Sequence, residues 1–180
     1  LAMGNVITGA MGRAPVYLWT LPMFHCNGWC FPWTISIVGG THVCLRQVRA
    51  KLMFDLIADH KVTHLCGAPI VMSTLLGAAD ADRRALPHTV EFFTAAAPPP
   101  EAVLAAMKDA GFNVTHLYGL TEVYGPAVVN EWKAEWNDLP AQEAQQRIAA
   151  DIGLLVDEEQ HLDAGQDQEG GEDVEHPGEL

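Results

Sequence analysis

The segment YGLTEVYG, residues 118–125, gathers what a phosphate-handling turn needs. A run of β-formers leads up to it, Gly119 permits a tight turn, and Thr121 and Glu122 follow at once. A threonine hydroxyl hydrogen-bonds a phosphate oxygen, and a carboxylate takes a hard cation such as Mg2+. The ring of Tyr118 offers a flat face to a purine. The same Thr-Glu pair also reads as a helix N-cap with its first-turn acid. A second stretch, TAAAPPP at 94–100, sets three small residues before three prolines. Small side chains let a ligand approach the backbone, and the prolines fix a rigid entry into a helix; tight helix–sheet packing would use the same residues. A third stretch, LPMFHCNGWC at 21–30, puts His25, Cys26, Trp29 and Cys30 on an uncharged run. A metal site, a piece of membrane and the wall of a substrate pocket are the three readings of it.

Composition narrows these readings. The chain has 180 residues and a formal net charge of −13, enough length for one domain with its own core. Residues 151–180 carry 11 of the 23 acids and no Lys or Arg, which leaves 12 acids against 10 bases in residues 1–150. The body is therefore nearly neutral and the tail acidic. No basic stripe exists for a nucleic acid, and none is expected as a partner. Between Arg13 and Arg46 lie 32 residues without a formal charge. Pro22, Pro32, His25, Asn27, Gly28 and the Gly39–Gly40 pair interrupt them, so a spanning helix is not expected. Cys26, Cys30, Cys44 and Cys66 sit in apolar contexts and read as reduced core thiols of a cytoplasmic protein. The His42-x-Cys44 and His64-x-Cys66 pairs keep a metal reading open, although the C-x3-C spacing of Cys26 and Cys30 is a poor zinc signature.

The elements that must position these residues follow the grammar of a parallel sheet. Strands are expected at 15–21, 41–46, 62–67, 90–95 and 113–119. Helices are expected at 51–60, at 69–78 with Pro69 in the first turn, and at 98–111 closed by Gly111. Alternation of this kind predicts an α/β fold, a largely parallel sheet flanked by helices. Ligands of such sheets sit beyond the carboxyl ends of the strands, which points to Thr94–Pro98 and to Tyr118–Glu122. Residues 139–155 form one further amphipathic pattern, and 151–180 have the composition of a disordered tail. That tail lacks the spacing of a calcium loop.

TLPMFHCNGW, TAAAPPP and THLYGLTEVYGP, in this order, resemble the AMP-forming acyl-CoA synthetases of the adenylate-forming superfamily. More narrowly they resemble the short- and medium-chain fatty or aryl acid branch. The resemblance covers residues 1 to about 150 and implies a partial large N-terminal, AMP-binding domain there. It implies ATP, Mg2+ and coenzyme A as reactants, a small carboxylic acid as substrate, and an acyl-adenylate between them. Position by position it implies that Tyr118 lies on the adenine and His116 at its edge. Leu117 and Gly119 complete that turn, Thr121 holds the α-phosphate and Glu122 binds Mg2+. Ala96, Ala97 and Pro98 would line the adenine and acyl groups, with Ala95 and Ala96 towards the acid; the family usually has glycine where this chain has Ala96. His25 would stand between acyl site and pantetheine channel as a gate and orienting group, Trp29 in the pocket wall, and the cysteines would be bystanders. The family also uses a Gly/Ser/Thr-rich lysine loop for the β- and γ-phosphates, which these residues do not contain. A ribose aspartate and a lysine-bearing C-terminal domain would lie past residue 150, so the chain resembles the middle of a longer enzyme. A non-catalytic protein that keeps only the nucleotide crevice is the alternative.

Overall fold

The computed structural model describes residues 1–86, 88–95, 99–130, 133, 136, 139, 143 and 147, with Asn27 described by its backbone alone. The helices are α1 (Ala2–Thr8), α2 (Cys26–Trp29), α3 (Phe31–Ile37), α4 (Ala50–His60), α5 (Pro69–Leu76) and α6 (Glu101–Asp109). The strands are β1 (Val16–Trp19), β2 (Thr41–Cys44), β3 (His64–Cys66), β4 (Val90–Thr94), β5 (Phe112–Tyr118) and β6 (Val128–Asn130). They form one sheet in the order β2-β1-β3-β4-β5-β6. β6 alone runs antiparallel to its neighbour.

Each expected strand and each of the three expected helices is present, with bounds that differ by at most three residues. Pro69 opens α5 as its position in the sequence suggested. Gly111 follows α6 with φ 93°, a left-handed conformation that glycine adopts without steric cost. Four of these elements add to the expected set. α1 and α3 cover one face of the sheet, α2 is a single turn ahead of α3, and β6 is a short strand defined by its pairing to β5. The amphipathic pattern expected over 139–155 falls largely outside the described residues; of those described within it, Glu143 and Arg147 are helical.

Alternation along β1 sends Leu18 to one face and Tyr17 and Trp19 to the other. Leu18, Leu65 and Phe92 pack against Met53 and Ile57 of α4, Met72 of α5 and Met107 of α6. Tyr17, Trp19, Cys66 and Phe93 pack against Phe31 and Ile35 of α3, with Val6 of α1 beside them. The second face is aromatic: Tyr17 stacks on Phe31 at 5.2 Å between ring centres, and Phe31 on Phe93 at 5.9 Å. A sheet buried on both sides reads as near-continuous apolar runs, which is how its strands appear in the sequence.

Of the four thiols, Cys30 and Cys66 are buried, Cys26 is half-buried and Cys44 is exposed. The expectation of four core thiols is thus corrected for Cys44, which lies on the edge strand β2. Burial pushes the Cys66 thiol far above the ordinary thiol range, so it stays protonated and is a poor metal ligand. Among the described residues, no group of three or more His, Cys, Asp or Glu is placed to hold a metal ion. No helix among them is long and apolar enough to cross a membrane.

His64 is buried on β3, stacked on Phe93 at 6.1 Å. Burial holds its imidazole below the ordinary histidine range, opposed by a hydrogen bond to the backbone of Gly9. As pH falls, the unfolded chain takes up this proton before the folded one, so acid removes stability. That contribution is complete above the unperturbed histidine pKa of about 6.5 and is lost below it. Unfolding by urea should therefore show a midpoint that drops between about pH 7 and 5, with a smaller drop in His64→Gln. Equal slopes in the two proteins would remove His64 as the cause.

Candidate active site

β4 and β5 lie side by side in parallel, with five register pairs from Val90↔Phe112 to Thr94↔His116. Their carboxyl ends therefore open at one level. His116 and Leu117 are buried, and Tyr118 is partly exposed as the strand leaves the sheet. Ala95, just past β4, is half-buried against the aromatic cluster. Ala96, Ala97 and Pro98, which the sequence places at this opening, lie outside the described residues.

After Tyr118 the chain makes a compact excursion and returns as β6. The Ala127 N–H donates to the Tyr118 carbonyl at 2.8 Å and closes it. Inside, the Val123 N–H donates to Leu120 and the Tyr124 N–H to Thr121, a single 3-10 turn over Thr121–Val123. Thr121 and Glu122 are both exposed on it. The excursion is this tight because Gly119 has no side chain: a Cβ there would stand 2.0 Å from the Gly125 carbonyl oxygen. Gly125 itself has φ 136°.

Segment 21–30 comes to this turn from the other side. It was expected as a pocket wall, and it contains a conformation that composition does not announce. Cys26, Gly28, Trp29 and Cys30 have φ of 43°, 59°, 55° and 67°, so α2 is a left-handed turn. Each non-glycine residue so placed costs about 1–2 kcal/mol. The Cys26 thiol lies 3.4 Å from the Thr121 hydroxyl and donates to it. A Cβ on Gly125 would stand 3.2 Å from the Trp29 carbonyl oxygen, so the two turns touch backbone to backbone. Trp33 of α3 meets Tyr124 at 6.1 Å between ring centres. Trp29 is buried in the aromatic cluster, whereas His25 is exposed.

Of the residues singled out in the sequence, Thr121 and the 21–30 segment are brought into contact, and His116 to Glu122 form one continuous edge. The thiol that makes that contact belongs to Cys26, which was expected to stand beside the pocket without a part in it. Sequence reasoning also missed a shallow apolar cleft lined by Phe31, Phe93, Leu117, Pro126 and Val129, with Asn5 beside them. Only the tertiary pairing of α1, α3 and the strand ends creates it.

Exposed carboxylate and hydroxyl oxygens are the hard donors that Mg2+ and phosphate take, and the Gly119–Gly125 approach leaves the backbone bare beside them. The donor set of this turn therefore fits a magnesium nucleotide. Gly119→Ala should open the turn, since backbone is what the methyl meets. We expect a loss of about 1–3 kcal/mol in urea unfolding, the usual scale of overpacking. An unchanged midpoint would show that the turn relaxes freely.

Comparison with known proteins places this geometry. Residues 2–180 match the family of AMP-binding enzymes, so the match carries through the acidic segment where the sequence resemblance was expected to stop near residue 150. A peroxisomal acetate/butyrate–CoA ligase of Arabidopsis thaliana is 47% identical over 171 residues, 94% of this chain and 30% of the relative. A probable acyl-activating enzyme of the same plant is 45% identical over 180 residues, all of this chain and 32% of the relative. A 2-methylpropanoate–CoA ligase of Humulus lupulus is 48% identical over 157 residues, 87% and 28% of the two chains. The chain thus spans about 30% of the length of the curated relatives it matches. Among solved structures, the N-terminal domain of FACL13 from Mycobacterium tuberculosis has a TM-score of 0.65 at 21% identity, covering 81% of this chain and 36% of that domain. The O-succinylbenzoate coenzyme A synthetase of Bacillus subtilis, solved with ATP and magnesium ion, has a TM-score of 0.60 at 22% identity, covering 76% and 28%. With the strand-end turn, the helix-flanked sheet and a family match over 2–180 in agreement, the chain belongs to the AMP-binding enzymes.

Proposed function

We propose that this chain is part of an AMP-forming acyl-CoA synthetase that activates a short carboxylic acid. The observation that carries the reading is the meeting of segment 21–30 with the 119–125 turn, through Cys26–Thr121 and Trp29–Gly125. An acid held by the first would face a nucleotide held by the second. The acid's carboxylate oxygen attacks the α-phosphorus of ATP; a P–O bond forms, the bond to the β-phosphate bridge breaks, and pyrophosphate leaves with the electron pair. The sulfur of coenzyme A then attacks the acyl carbon as its thiol proton passes to solvent; the C–S bond of the thioester forms, the acyl C–O bond breaks, and AMP leaves with the electron pair.

In this reading Tyr118 lies on the adenine, with His116, Leu117 and Gly119 behind it, and Thr121 donates to an α-phosphate oxygen. Glu122 holds Mg2+, which supplies charge neutralisation at the phosphates. Ala95 and the 96–98 segment border the acyl group, and exposed His25 orients the acid where the pantetheine arm would enter. The chain's work is positioning and charge stabilisation, the larger part of catalysis in reactions of this type. The acid in this reading is small, a short acyl group. The names of the plant relatives, acetate/butyrate and 2-methylpropanoate ligases, support the same size.

We divide the chain near residue 150, on composition, into a partial adenylation domain and an acidic tail over 151–180. Its four free thiols support a cytoplasmic setting, and fractionation with an antibody would separate that from the peroxisomal setting of some relatives.

Three measurements test the proposal. Glu122→Gln in the intact ligase keeps shape and removes charge, and should slow pyrophosphate release by about 10²-fold; an unchanged rate would sink the assignment. Trp29→Phe should shift preference among acids of different length, whereas an equal effect on every acid would exclude Trp29 from the pocket wall. The 180-residue chain alone should form no AMP above background from ATP, Mg2+, coenzyme A and a panel of acids, because no lysine loop for the β- and γ-phosphates lies in it. Acid-dependent AMP formation would overturn that expectation.

A further inference from the structure

The left-handed turn at 26–30 carries several strained residues, and such a conformation persists only where its surroundings over-determine it. Two side chains do so here. Asn5 of α1, only 4% exposed, donates from Nδ2 to the Trp29 carbonyl at 3.0 Å and to the Thr34 hydroxyl oxygen at 3.3 Å. Thr34 of α3, fully buried, donates its own hydroxyl to the Cys30 carbonyl at 2.9 Å. Both protons of the Asn5 amide group and the proton of Thr34 are thereby used on the turn and on each other. The Trp29 carbonyl receives the buried Asn5 amide, and the Cys30 carbonyl, which already accepts the Thr34 N–H at 3.1 Å as the first bond of α3, receives the Thr34 hydroxyl as well. On its far side the same turn presses the Cys26 thiol on Thr121 and the Trp29 carbonyl on Gly125.

We infer that Asn5 and Thr34 are positioning residues for the ligase reaction, holding the 26–30 turn so that the acid segment and the phosphate hydroxyl of Thr121 stay in fixed register. The inference rests on the ligase reading for its kinetic consequences, but not for the geometry of the clamp. Within the nucleotide turn the Tyr124 N–H holds the Thr121 carbonyl at 3.1 Å, while the side chain of Thr121 stands exposed on a single 3-10 turn. Its hydroxyl is held from segment 21–30, and that segment is held from α1 and α3. An acid and a nucleotide are thus located by one piece of backbone, whose own position is set by two buried polar side chains.

The test uses the intact ligase with Thr34→Val, which keeps volume and removes the hydroxyl, Thr34→Ser, which restores it, and Cys26→Ala, which removes the thiol and its contact to Thr121 without placing a β-branched side chain at φ 43°. In Thr34→Val the KM for the acid and for ATP should rise together, about tenfold, and Thr34→Ser should return both. In Cys26→Ala the KM for ATP should rise and that for the acid should not. A merely structural role would lower the amount of active enzyme, hence the apparent kcat, and leave both KM values where they were; that result would overturn the inference. Should Thr34→Val fail to fold, Cys26→Ala decides it. Should the wild-type enzyme form no AMP with any acid, the ligase reading fails instead. The clamp is then judged by alkylation of Cys26 with a maleimide, which should be several-fold faster in Thr34→Val; equal rates would refute it.

Discussion

Everything at the candidate site hangs on the register between β4 and β5. Parallel pairing over five successive residues makes the two strands end together, Thr94 beside His116. A slip of one residue would turn the side chains of β5 over, sending Leu117 into the opposite layer and His116 out of its own. The register is secured from both faces of the sheet. Phe92 meets Phe112 edge-on at 6.3 Å in one layer, while Phe93 and Leu117 join the aromatic cluster of the other. The position of a threonine hydroxyl on an exposed turn is in this sense a consequence of core packing several residues upstream.

The site also shows where the molecule accepts unfavourable terms. Gly119 approaches Gly125 as closely as backbone can, and four residues of segment 26–30 occupy left-handed conformations. Neither feature adds stability in itself. Cys30 and Trp29, with side chains, gain nothing from such φ values, and what offsets them is burial: both lie in the aromatic layer with Phe31 following. Trp19 completes the arrangement. Its indole ring lies where a Cβ of Gly28 would be, 2.7 Å from it, and its Nε1 donates to His42 on the edge strand. A bulky residue at position 28 would displace Trp19 from the cluster, so the glycine is required by the neighbour's size as well as by its own φ of 59°.

How far the sequence displayed this varies by element and for physical reasons. The strands and α4, α5 and α6 were visible because their apolar periodicity, Pro69 and Gly111 are local signals. α3 was hidden because FPWTISI is rich in aromatic and β-branched residues, which favour strand, and its helicity is imposed by packing on Tyr17 and Phe93. α1 lacks a side-chain cap and an acidic first turn, so nothing in AMGNVIT marks it. β6 has three residues and exists only as β5's partner. The turn residues Tyr118 to Glu122 were legible from their types, and the motif order resembled the family that the comparisons then showed. Asn5, Thr34 and Cys26 were not, because a role that consists of touching another segment has no signature within its own.

The outer surfaces bear on how such a chain is stabilised. Apolar side chains at Ile7 of α1, Ile37 of α3 and Ile70 of α5 stand exposed, and Phe24 beside His25 is 84% exposed. Scattered apolar residues are normal on a monomer, but Phe24 lies on the segment that the proposed function assigns to acid binding. An exposed aromatic at a reaction crevice is a side chain waiting for contact area, and binding a flat or aliphatic group there would bury it at roughly 25 cal/mol per Å2. That gain is available only if the backbone beneath does not yield as the ring is covered. A left-handed turn fixed by buried donors meets that requirement, because a change of conformation there would take the Trp29 carbonyl from its buried Asn5 donor. The polar clamp at Asn5 and Thr34 and the apolar exposure at Phe24 are therefore two ends of one design, rigidity below and unsatisfied surface above.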